Sequence, residues 1–496
     1  MAQEKLQYIE KLLFALTIIL IPFVALPQRM IINTIGGEAT NYTVLMLFVV
    51  FAYEYIKYKP RIKRCFIVFL VIFTLIRIIS LIIGLTIFPY YDLITLEQIS
   101  KLQLLVSKFP ILGSGEQLLP YWLFLKESKN IIFDNLTLFG LPIIMWHLFH
   151  NDWKSGFLYL RKAVLILISI FGVYSVVEIL WLKLHLTVAQ DILCFINPLL
   201  YDPKSSHGWW PPLLWGNQLR SVCPEPSFFG IYACFCIPFL WSYLVNNKRM
   251  KYIALYTYFI LMLFLTKART ALGIYIGAYA LLSISVVLNR LKKSFLALLL
   301  VTLSTAAAFS LTLINWESGR EDMTAESYLS NNVASVAKTS ARSNSARFGN
   351  VKAMFNIGAA HMWTGAGKGF VSAYMPDYMD SESAKNGEIK LWTDYMREKG
   401  ILKSGFPTLN QYAGFFAEAG LIGLILFLTP IVYIVYKYAK GKLYKDIYKS
   451  IVLIIFAGQL AAMLSNKYFI TYPLALGLCL CMIENQGENK KENQHP

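Results

Sequence analysis

Three short polar motifs carry the residue types that could bind and activate a charged substrate, and each adjoins a long hydrophobic run. They read Arg220-Ser-Val-Cys-Pro-Glu-Pro-Ser, Thr266-Lys-Ala-Arg-Thr and Asn410-Gln-Tyr-x5-Glu-Ala-Gly-Leu-Ile-Gly. Guanidinium groups bind phosphate oxygens in pairs, and amide donors at the start of a helix add to such a site. Arg220, Lys267 and Arg269 therefore indicate an anion-binding site, and a diphosphate supplies the counter-charge that they need.

Glu225 is the acidic residue nearest these cations in the first motif. Pro224 and Pro226 restrict the backbone and hold its side chain above the start of the next hydrophobic run. A carboxylate beside Arg220 can take the proton of an attacking hydroxyl group, so Glu225 is the candidate general base. The alternatives are structural: Glu225 only pairs with an arginine, Arg220 reaches the lipid headgroups, and Arg269 forms a simple salt bridge.

Composition predicts that membrane helices position these motifs. The chain has 496 residues, of which 56% are hydrophobic, and it contains twelve apolar runs near the roughly 20 residues that a spanning helix needs. Backbone groups in lipid must be paired internally, and the runs lack the alternation of barrel strands. We therefore predict an all-α polytopic membrane protein with about twelve transmembrane helices. They lie near 10–27, 42–57, 65–88, 131–149, 163–186, 227–246, 250–266, 269–288, 293–314, 411–436, 448–465 and 467–483.

The positions of Lys and Arg predict the orientation of these helices. Basic residues cluster in alternate connections, including 57–64, 248–251 and 437–449. Because short basic loops resist translocation, we place this side and both termini in the cytoplasm, with the first run retained as a span. Topology and anionic-lipid contact then explain the net charge of +17, and nucleic acid is not an expected partner.

The other connections form the outer side, where the polar motifs lie. We predict helices one to nine in 1–314, with outer loops at 89–130 and 187–226, and a large outer loop at 315–410 between helices nine and ten. Helices ten to twelve occupy 411–483, and 484–496 form a cytoplasmic tail. Within the large loop, the spacing of apolar residues from Arg347 to Ile357 predicts a helix.

Metal ligands are sparse in the outer segments. They contain no HExxH motif, no DxD motif and no cluster of histidines, so we expect no metal at this site and no cofactor. The two Cys-x-Cys pairs fall on predicted helices, where their thiols point to different faces. Cys194 and Cys223 are the pair that could form a disulfide in an oxidising compartment.

Two ionisable residues, Arg77 and Glu178, fall within predicted membrane spans. Charges at such depth normally pair with each other or line a wet cavity. One interpretation is an Arg77–Glu178 ion pair, and another is a role for Arg77 where a lipid diphosphate enters. Glu418, within span ten, is expected to pack helices, where Gly420 and Gly423 permit close approach.

The motifs, taken in order, resemble the signatures of the O-antigen polymerase and O-antigen ligase superfamily. The matching elements are Arg220 with Pro-Glu-Pro-Ser, Thr266-x-x-Arg-Thr, Arg347-Phe followed by Trp363-Thr-Gly-x-Gly, and Asn410-x-Tyr-x5-Glu-x-Gly-x-x-Gly, which together cover roughly 200–430. The resemblance implies a GT-C-type glycosyltransferase of the bacterial cytoplasmic (inner) membrane, with one large periplasmic loop late in the chain. It also implies a metal-independent reaction with inversion at the anomeric carbon.

The resemblance further implies roles for individual residues. The arginines that match Arg220 and Arg269 would hold the pyrophosphate of an undecaprenyl-diphosphate-linked glycan donor, and the outer loop would form the acceptor cleft. We expect five further residues to contact the diphosphate or the glycan. These are Lys267, Arg347, Asn410, Tyr412 and Arg77.

One departure from the family pattern bears on the subclass. Where the ligase branch carries His-Asn-x-Tyr, this chain reads Leu409-Asn410-Gln411-Tyr412, and His361 lies too early to be its equivalent. The missing histidine favours a Wzy-type polysaccharide polymerase over the ligase that transfers glycan to lipid A core. A lipid-linked oligosaccharide flippase is the third alternative. The expected partners are the lipid-linked donor and acceptor, membrane lipid and a chain-length regulator protein.

Overall fold

The computed structural model describes residues 2–32, 35–109, 111, 113–201, 218–246, 249–288, 292–314, 323–332, 342–402 and 405–484. Within these ranges every regular element is helical, apart from an isolated β-bridge between Ile32 and Gly36. The α-helices are α1 (Ala2–Ile19), α2 (Ala39–Tyr58), α3 (Arg64–Ile87), α4 (Ser100–Lys108), α5 (Gly115–Asn135), α6 (Leu141–Phe149), α7 (Trp153–Leu184), α8 (Thr187–Leu200), α9 (Pro226–Asn246), α10 (Met250–Leu265), α11 (Arg269–Leu288), α12 (Lys292–Leu313), α13 (Ala325–Asn332), α14 (Arg342–Ala360), α15 (Val371–Tyr378), α16 (Gly387–Lys399), α17 (Gln411–Lys440), α18 (Ile447–Ala462) and α19 (Thr471–Ile483).

Eight helices of the described chain are long and apolar enough to cross a membrane. They are α2, α3, the continuous helix formed by α5 and α6, α7, α9, α11, α12 and α17. The shorter helices α10, α18 and α19 lie in three of the four remaining predicted spans. Helix α1 ends at Ile19 and therefore covers only the first part of the span predicted at 10–27. The prediction of an all-α polytopic membrane protein is confirmed.

The fourth predicted span differs from the structure in its start. Residues 131–149 form only the second part of a continuous helix that begins at Gly115 and passes through a π-helical turn, Leu136–Gly140. The early start follows from a capping box. The Ser114 hydroxyl accepts a hydrogen bond from the Gln117 backbone amide, and the Gln117 side chain accepts one from the Ser114 backbone amide. The predicted loop at 89–130 is therefore partly helix α5.

The connections between the spanning helices define two ends of the bundle. We call the end with connections 57–64, 150–152 and 441–446 the basic end, and the opposite end the loop end. At the loop end, α14, α15 and α16 pack with α3 and α5 around a second hydrophobic core. The helix predicted from Arg347 to Ile357 is confirmed as part of α14.

Helix α17 is broken at Gly420, whose backbone has φ 65° and ψ −167°. The loop that follows α14 lies against the break, and the Leu421 amide donates to the Met362 carbonyl at 2.7 Å. A Cβ atom at Gly420 would stand 2.4 Å from the Trp363 carbonyl carbon. Only glycine combines this positive φ with such a close backbone approach.

The same loop satisfies the carbonyl groups on the other side of the break. The Ala366 amide donates to the Ala417 carbonyl at 2.8 Å, and the Gly367 amide donates to the Glu418 carbonyl at 3.0 Å. Irregular backbone inside a helical bundle is tolerated where its polar groups are paired in this way. The two glycine motifs of the sequence are therefore the two sides of one contact, which carries residues 361–369 inward between the helices.

Candidate functional site

A cavity of about 600 Å³ lies at the loop end. Its wall includes the connection after α1, the starts of α2 and α9, the end of α5, one face of α14 and the connections 407–409 and 466–470. We call it the main cavity. Its described wall carries three carboxylates and two cations, namely Glu38, Asp134, Glu225, Arg347 and Lys467. This mixture suits a polar, partly anionic substrate, because each charge of the ligand can meet an opposite charge on the wall.

Arg347 is the arginine on the cavity wall, and its Nη1 atom donates to the Ser465 carbonyl at 3.0 Å. Burial lowers the pKa of Arg347, Glu225 raises it, and the nearby positive charge of Arg269 lowers it further. Arg347 and Arg269 thus lie close enough to interact, although they are far apart in sequence. Two arginines in partly buried surroundings favour an anion near both of them.

Arg269 begins α11 immediately after the tight α10–α11 hairpin. The Thr266 hydroxyl accepts the Ala268 amide at 3.0 Å, and Lys267 adopts a left-handed conformation with φ 52°. Burial lowers the pKa of Lys267. The hairpin therefore restricts Lys267 and Arg269 at the loop end, as preorganised electrostatic stabilisation requires. We call Lys267, Arg269 and Arg347 the cationic corner.

Glu225 lies on the wall of the main cavity and is half-buried. Its Oε2 atom accepts a hydrogen bond from the Ser227 hydroxyl at 2.9 Å, within the first turn of α9. Arg347 is an electrostatic neighbour of this carboxylate. Glu225 therefore lies on the cavity wall with an arginine from α14 close to it, and its role as the general base stays a prediction.

Arg220 is buried, with 3% of its surface exposed, and does not belong to the described wall of the main cavity. Its amide donates to Glu178 Oε1 at 3.0 Å, and its guanidinium lies 5.6 Å from the centre of the Tyr201 ring. The Ser221 amide donates to Glu178 Oε2 at 2.7 Å. The prediction that Glu178 pairs with Arg77 is wrong, because Glu178 binds the backbone that precedes α9.

Arg77 instead belongs to a group of four charged residues that we call the charge cluster. Its members are Arg77 on α3, Asp134 on α5, Lys368 on the inserted loop and Glu418 on α17. Arg77 Nη2 lies 3.2 Å from Glu418 Oε2 and 3.7 Å from Asp134 Oδ2. Lys368 Nζ lies 3.0 Å from Asp134 Oδ2 and 3.4 Å from Glu418 Oε1. Glu418, expected only to pack helices, is therefore a central ion-pair partner.

The charge cluster lies between the main cavity and a second cavity of about 180 Å³. Asp134 lines the main cavity, Lys368 and Glu418 line the second one, and Thr408 contributes to both walls. The cluster carries two positive and two negative charges, so its paired groups can remain ionised next to the cavities at moderate cost. Arg77 itself is 3% exposed and reaches the main cavity only through Asp134.

Asn410 and Tyr412 are engaged by the protein itself. The Asn410 side chain caps α17 by accepting the Ala413 amide at 2.9 Å, and it donates to the Leu464 carbonyl at 3.1 Å. The Tyr412 hydroxyl donates to the Leu460 carbonyl at 2.9 Å. These bonds fix the point where the chain re-enters the bundle. Contact between either residue and a substrate stays a prediction.

Glu38 is a candidate that sequence reasoning missed. It precedes the first residue of α2 and is exposed on the wall of the main cavity, where neighbouring protein groups displace part of the surrounding water. Burial raises the pKa of Glu38; Lys467 lowers it, and Asp134 raises it further. A raised pKa suits a general base. The sequence around Glu38 carries no such signal, because Lys467 and Asp134, which perturb its pKa, are distant in sequence.

The cysteine prediction is not supported by the geometry. Cys194 is exposed on α8 and Cys223 is buried before α9, and both thiols are free. The described residues form one group of three close metal-ligating side chains, and it lies at the basic end.

The fold and the cavity define an all-α polytopic membrane protein with a charged site at the loop end. Residues 254–428 match the family model described as O-antigen ligase, a segment from α10 into α17 that contains Arg269, Arg347 and the paired glycine motifs. This match supports the resemblance of that segment to the O-antigen ligase and polymerase superfamily. This match does not distinguish the polymerases from the ligases, and comparisons with curated proteins and solved structures gave no match.

Proposed function

We propose that the protein is a polysaccharide polymerase that joins undecaprenyl-diphosphate-linked repeat units at the outer face of the bacterial cytoplasmic membrane. The observation that carries this choice is Leu409, which lines the main cavity at the position where the ligase branch has histidine. A leucine cannot exchange a proton with the acceptor. The loop end would then face the periplasm and both chain termini the cytoplasm.

In this mechanism the cationic corner holds the diphosphate of the donor. Arg347 and Arg269 bind its oxygens, and Lys267 adds positive charge beside them. Charge develops on the diphosphate as the bond from the anomeric carbon to its oxygen breaks, so fixed cations stabilise the transition state. One such contact is typically worth about 3–4 kcal/mol. The cations can act in this way without a divalent ion.

The acceptor hydroxyl attacks the anomeric carbon from the face opposite the diphosphate, with inversion. Its oxygen forms the new glycosidic bond, and its proton passes to a carboxylate of the main cavity. Glu225 is the first candidate because it lies near Arg347, and Glu38 is the second because burial raises its pKa. His361, in the connection after α14, is absent from the described wall of the main cavity.

A separate apolar groove suits the isoprenoid chain of the donor. The groove encloses about 470 Å³ along α7 and α8 and reaches Val222, two residues beyond Arg220. Phe23 lines this groove, whereas Ile21 and Val24 line the main cavity. The connection after α1 thus lies between them, and a lipid in the groove can pass its diphosphate to the cavity over a short distance. In this arrangement Arg220 lies near the lipid end of the diphosphate.

The two candidate bases differ in a measurable way. Glu225→Gln should lower single-turnover transfer about 100-fold or more while donor affinity changes little, because a base acts mainly in the transition state. Glu382→Gln, an exposed change on the same side of the protein, is the control. Normal turnover in Glu225→Gln with a large loss in Glu38→Gln would assign proton removal to Glu38. Normal turnover in both variants would exclude both glutamates as the general base.

Transfer should proceed without Mg²⁺ or Mn²⁺. Protein treated with EDTA should form product at the same rate whether or not either ion is added back, because arginine and lysine supply the positive charge at the diphosphate. Rates are measured at fixed concentrations of folded protein and lipid donor. Activity that requires one of the two ions would show that the electrophilic group is misassigned.

The function itself is tested by the product. Purified protein in lipid nanodiscs is incubated with a synthetic lipid-diphosphate repeat unit, with and without lipid A core, and the glycans are separated on a gel. A polymerase gives a ladder on the original lipid without lipid A core. A ligase gives product only on lipid A core, and a flippase gives translocated monomer, so either result would replace the proposal.

A further inference from the structure

A compact group of ligating side chains lies at the basic end, at the opposite end of the bundle from the main cavity. It consists of Glu10 on α1, Glu54 on α2 and His147 on α6. One ligand atom from each residue lies within 4.8 Å of the other two. Both glutamates are fully buried, and His147 is 8% exposed. Three different helices therefore place two carboxylates and an imidazole next to one another in the interior of the protein.

The Glu10 carboxylate is the unusual member of this group. Neither of its buried oxygens has a hydrogen-bond partner among the described residues. Glu54, by contrast, accepts bonds from the side-chain amides of Gln3 at 3.1 Å and Gln7 at 3.2 Å, and its Oε2 lies 3.2 Å from His147 Nε2. A buried carboxylate without a partner, beside a second carboxylate, is costly unless a cation or a proton joins them.

The neighbouring basic side chains are directed elsewhere. Lys11 Nζ lies 5.5 Å from the centre of the Phe149 ring, and Lys63 pairs with Glu484. The His150 ring bonds to the carbonyls of its own helix. These described cations do not neutralise Glu10, so the space between the three ligating groups is suited to a bound cation.

We propose that Glu10, Glu54 and His147 bind one divalent first-row transition-metal ion, for which Zn²⁺ is the chemical probe. An imidazole nitrogen with two carboxylate oxygens suits such an ion better than Mg²⁺ or Ca²⁺, which prefer oxygen ligands alone. Gln3 and Gln7 hold the Glu54 carboxylate in place, as outer-shell donors do around metal sites. The ion joins α1, α2 and α6 and has no part in glycan transfer.

The test is metal binding by the full chain in nanodiscs, purified without a polyhistidine tag. After EDTA treatment and dialysis, wild-type protein should take up about one equivalent of Zn²⁺, and Glu10→Gln and His147→Gln should each bind it more than about 100-fold more weakly. Loss of a direct ligand should cost at least as much as the 10–100-fold loss caused by outer-shell changes. Glu4→Gln, an exposed change on the same helix, should bind as wild type does.

Melting temperature and X-ray absorption test the same site if a variant folds poorly. Zn²⁺ should raise the melting temperature of the wild type and of Glu4→Gln but not of Glu10→Gln. X-ray absorption of the wild-type complex should show one imidazole among nitrogen and oxygen ligands at about 2.0–2.2 Å. Equal Zn²⁺ affinity in wild type and Glu10→Gln, or no uptake by the wild type, would overturn the proposal and leave a proton shared by Glu10 and Glu54 as the explanation.

Discussion

Arg347→Ala should reduce glycan transfer about 100- to 1000-fold, the effect typical of losing one fixed donor to a developing negative charge. Arg347 lies on the cavity wall, held by the Ser465 carbonyl and close to both Arg269 and Glu225. Donor binding should weaken as well, because the diphosphate is charged before and during the reaction. Arg269→Ala should behave in the same way while membrane insertion stays intact.

The matched control is Lys352→Ala on the same helix. Lys352 is largely exposed and pairs with Asp380 at 3.3 Å on the protein surface, so its loss should leave transfer unchanged. Arg347→Lys should recover only part of the activity, because an ammonium group lacks the paired donors of a guanidinium. Wild-type transfer by Arg347→Ala would remove this residue from the diphosphate site.

The second large effect is expected on stability. Arg77→Ala should destabilise the protein by about 3–5 kcal/mol, the cost of removing one partner from a buried ion pair. The variant leaves Lys368 as the cation that forms ion pairs with both Asp134 and Glu418. Thermal unfolding in nanodiscs, followed by tryptophan fluorescence, measures the loss.

Arg397→Ala is the control for this change, because Arg397 and Asp394 form an exposed pair at 3.9 Å that should contribute little. If Arg77→Ala does not fold, Arg77→Ala combined with Glu418→Gln should restore part of the stability, since it removes the uncompensated charge. Equal melting temperatures for Arg77→Ala and Arg397→Ala would show that the charge cluster does not stabilise the fold.

The sequence predicts well the features that depend on the order of residues within one short segment. Apolar runs of spanning length predict the helices, because lipid accepts only elements with internally paired backbones. The helical spacing after Arg347 predicts part of α14, and the glycines of the last motif predict a close approach at Gly420. The approaching partner is the loop at Trp363, which no local pattern identifies.

The features that the sequence does not reveal depend on contacts between distant segments. Many acidic residues of the chain could pair with Arg77 in a helical bundle. In the structure Arg77 pairs with Glu418, and the loop inserted at the break in α17 brings Lys368 to the same carboxylate. Glu178 binds backbone amides, for which a sequence offers no signal. The Glu10, Glu54 and His147 group comes from three separate helices, without the short spacing that marks many metal sites.

The central claim is that the main cavity receives the diphosphate of a lipid-linked glycan, and photocrosslinking tests it most directly. A lipid-diphosphate repeat unit with a photoreactive group beside the diphosphate is irradiated with the wild type and with Arg347→Ala, and the labelled peptides are identified by mass spectrometry. We expect labels on the cavity wall, at 407–409 and 466–470, that are strongly reduced in Arg347→Ala. Labels confined to other surfaces, or equal labelling of both proteins, would contradict the assignment.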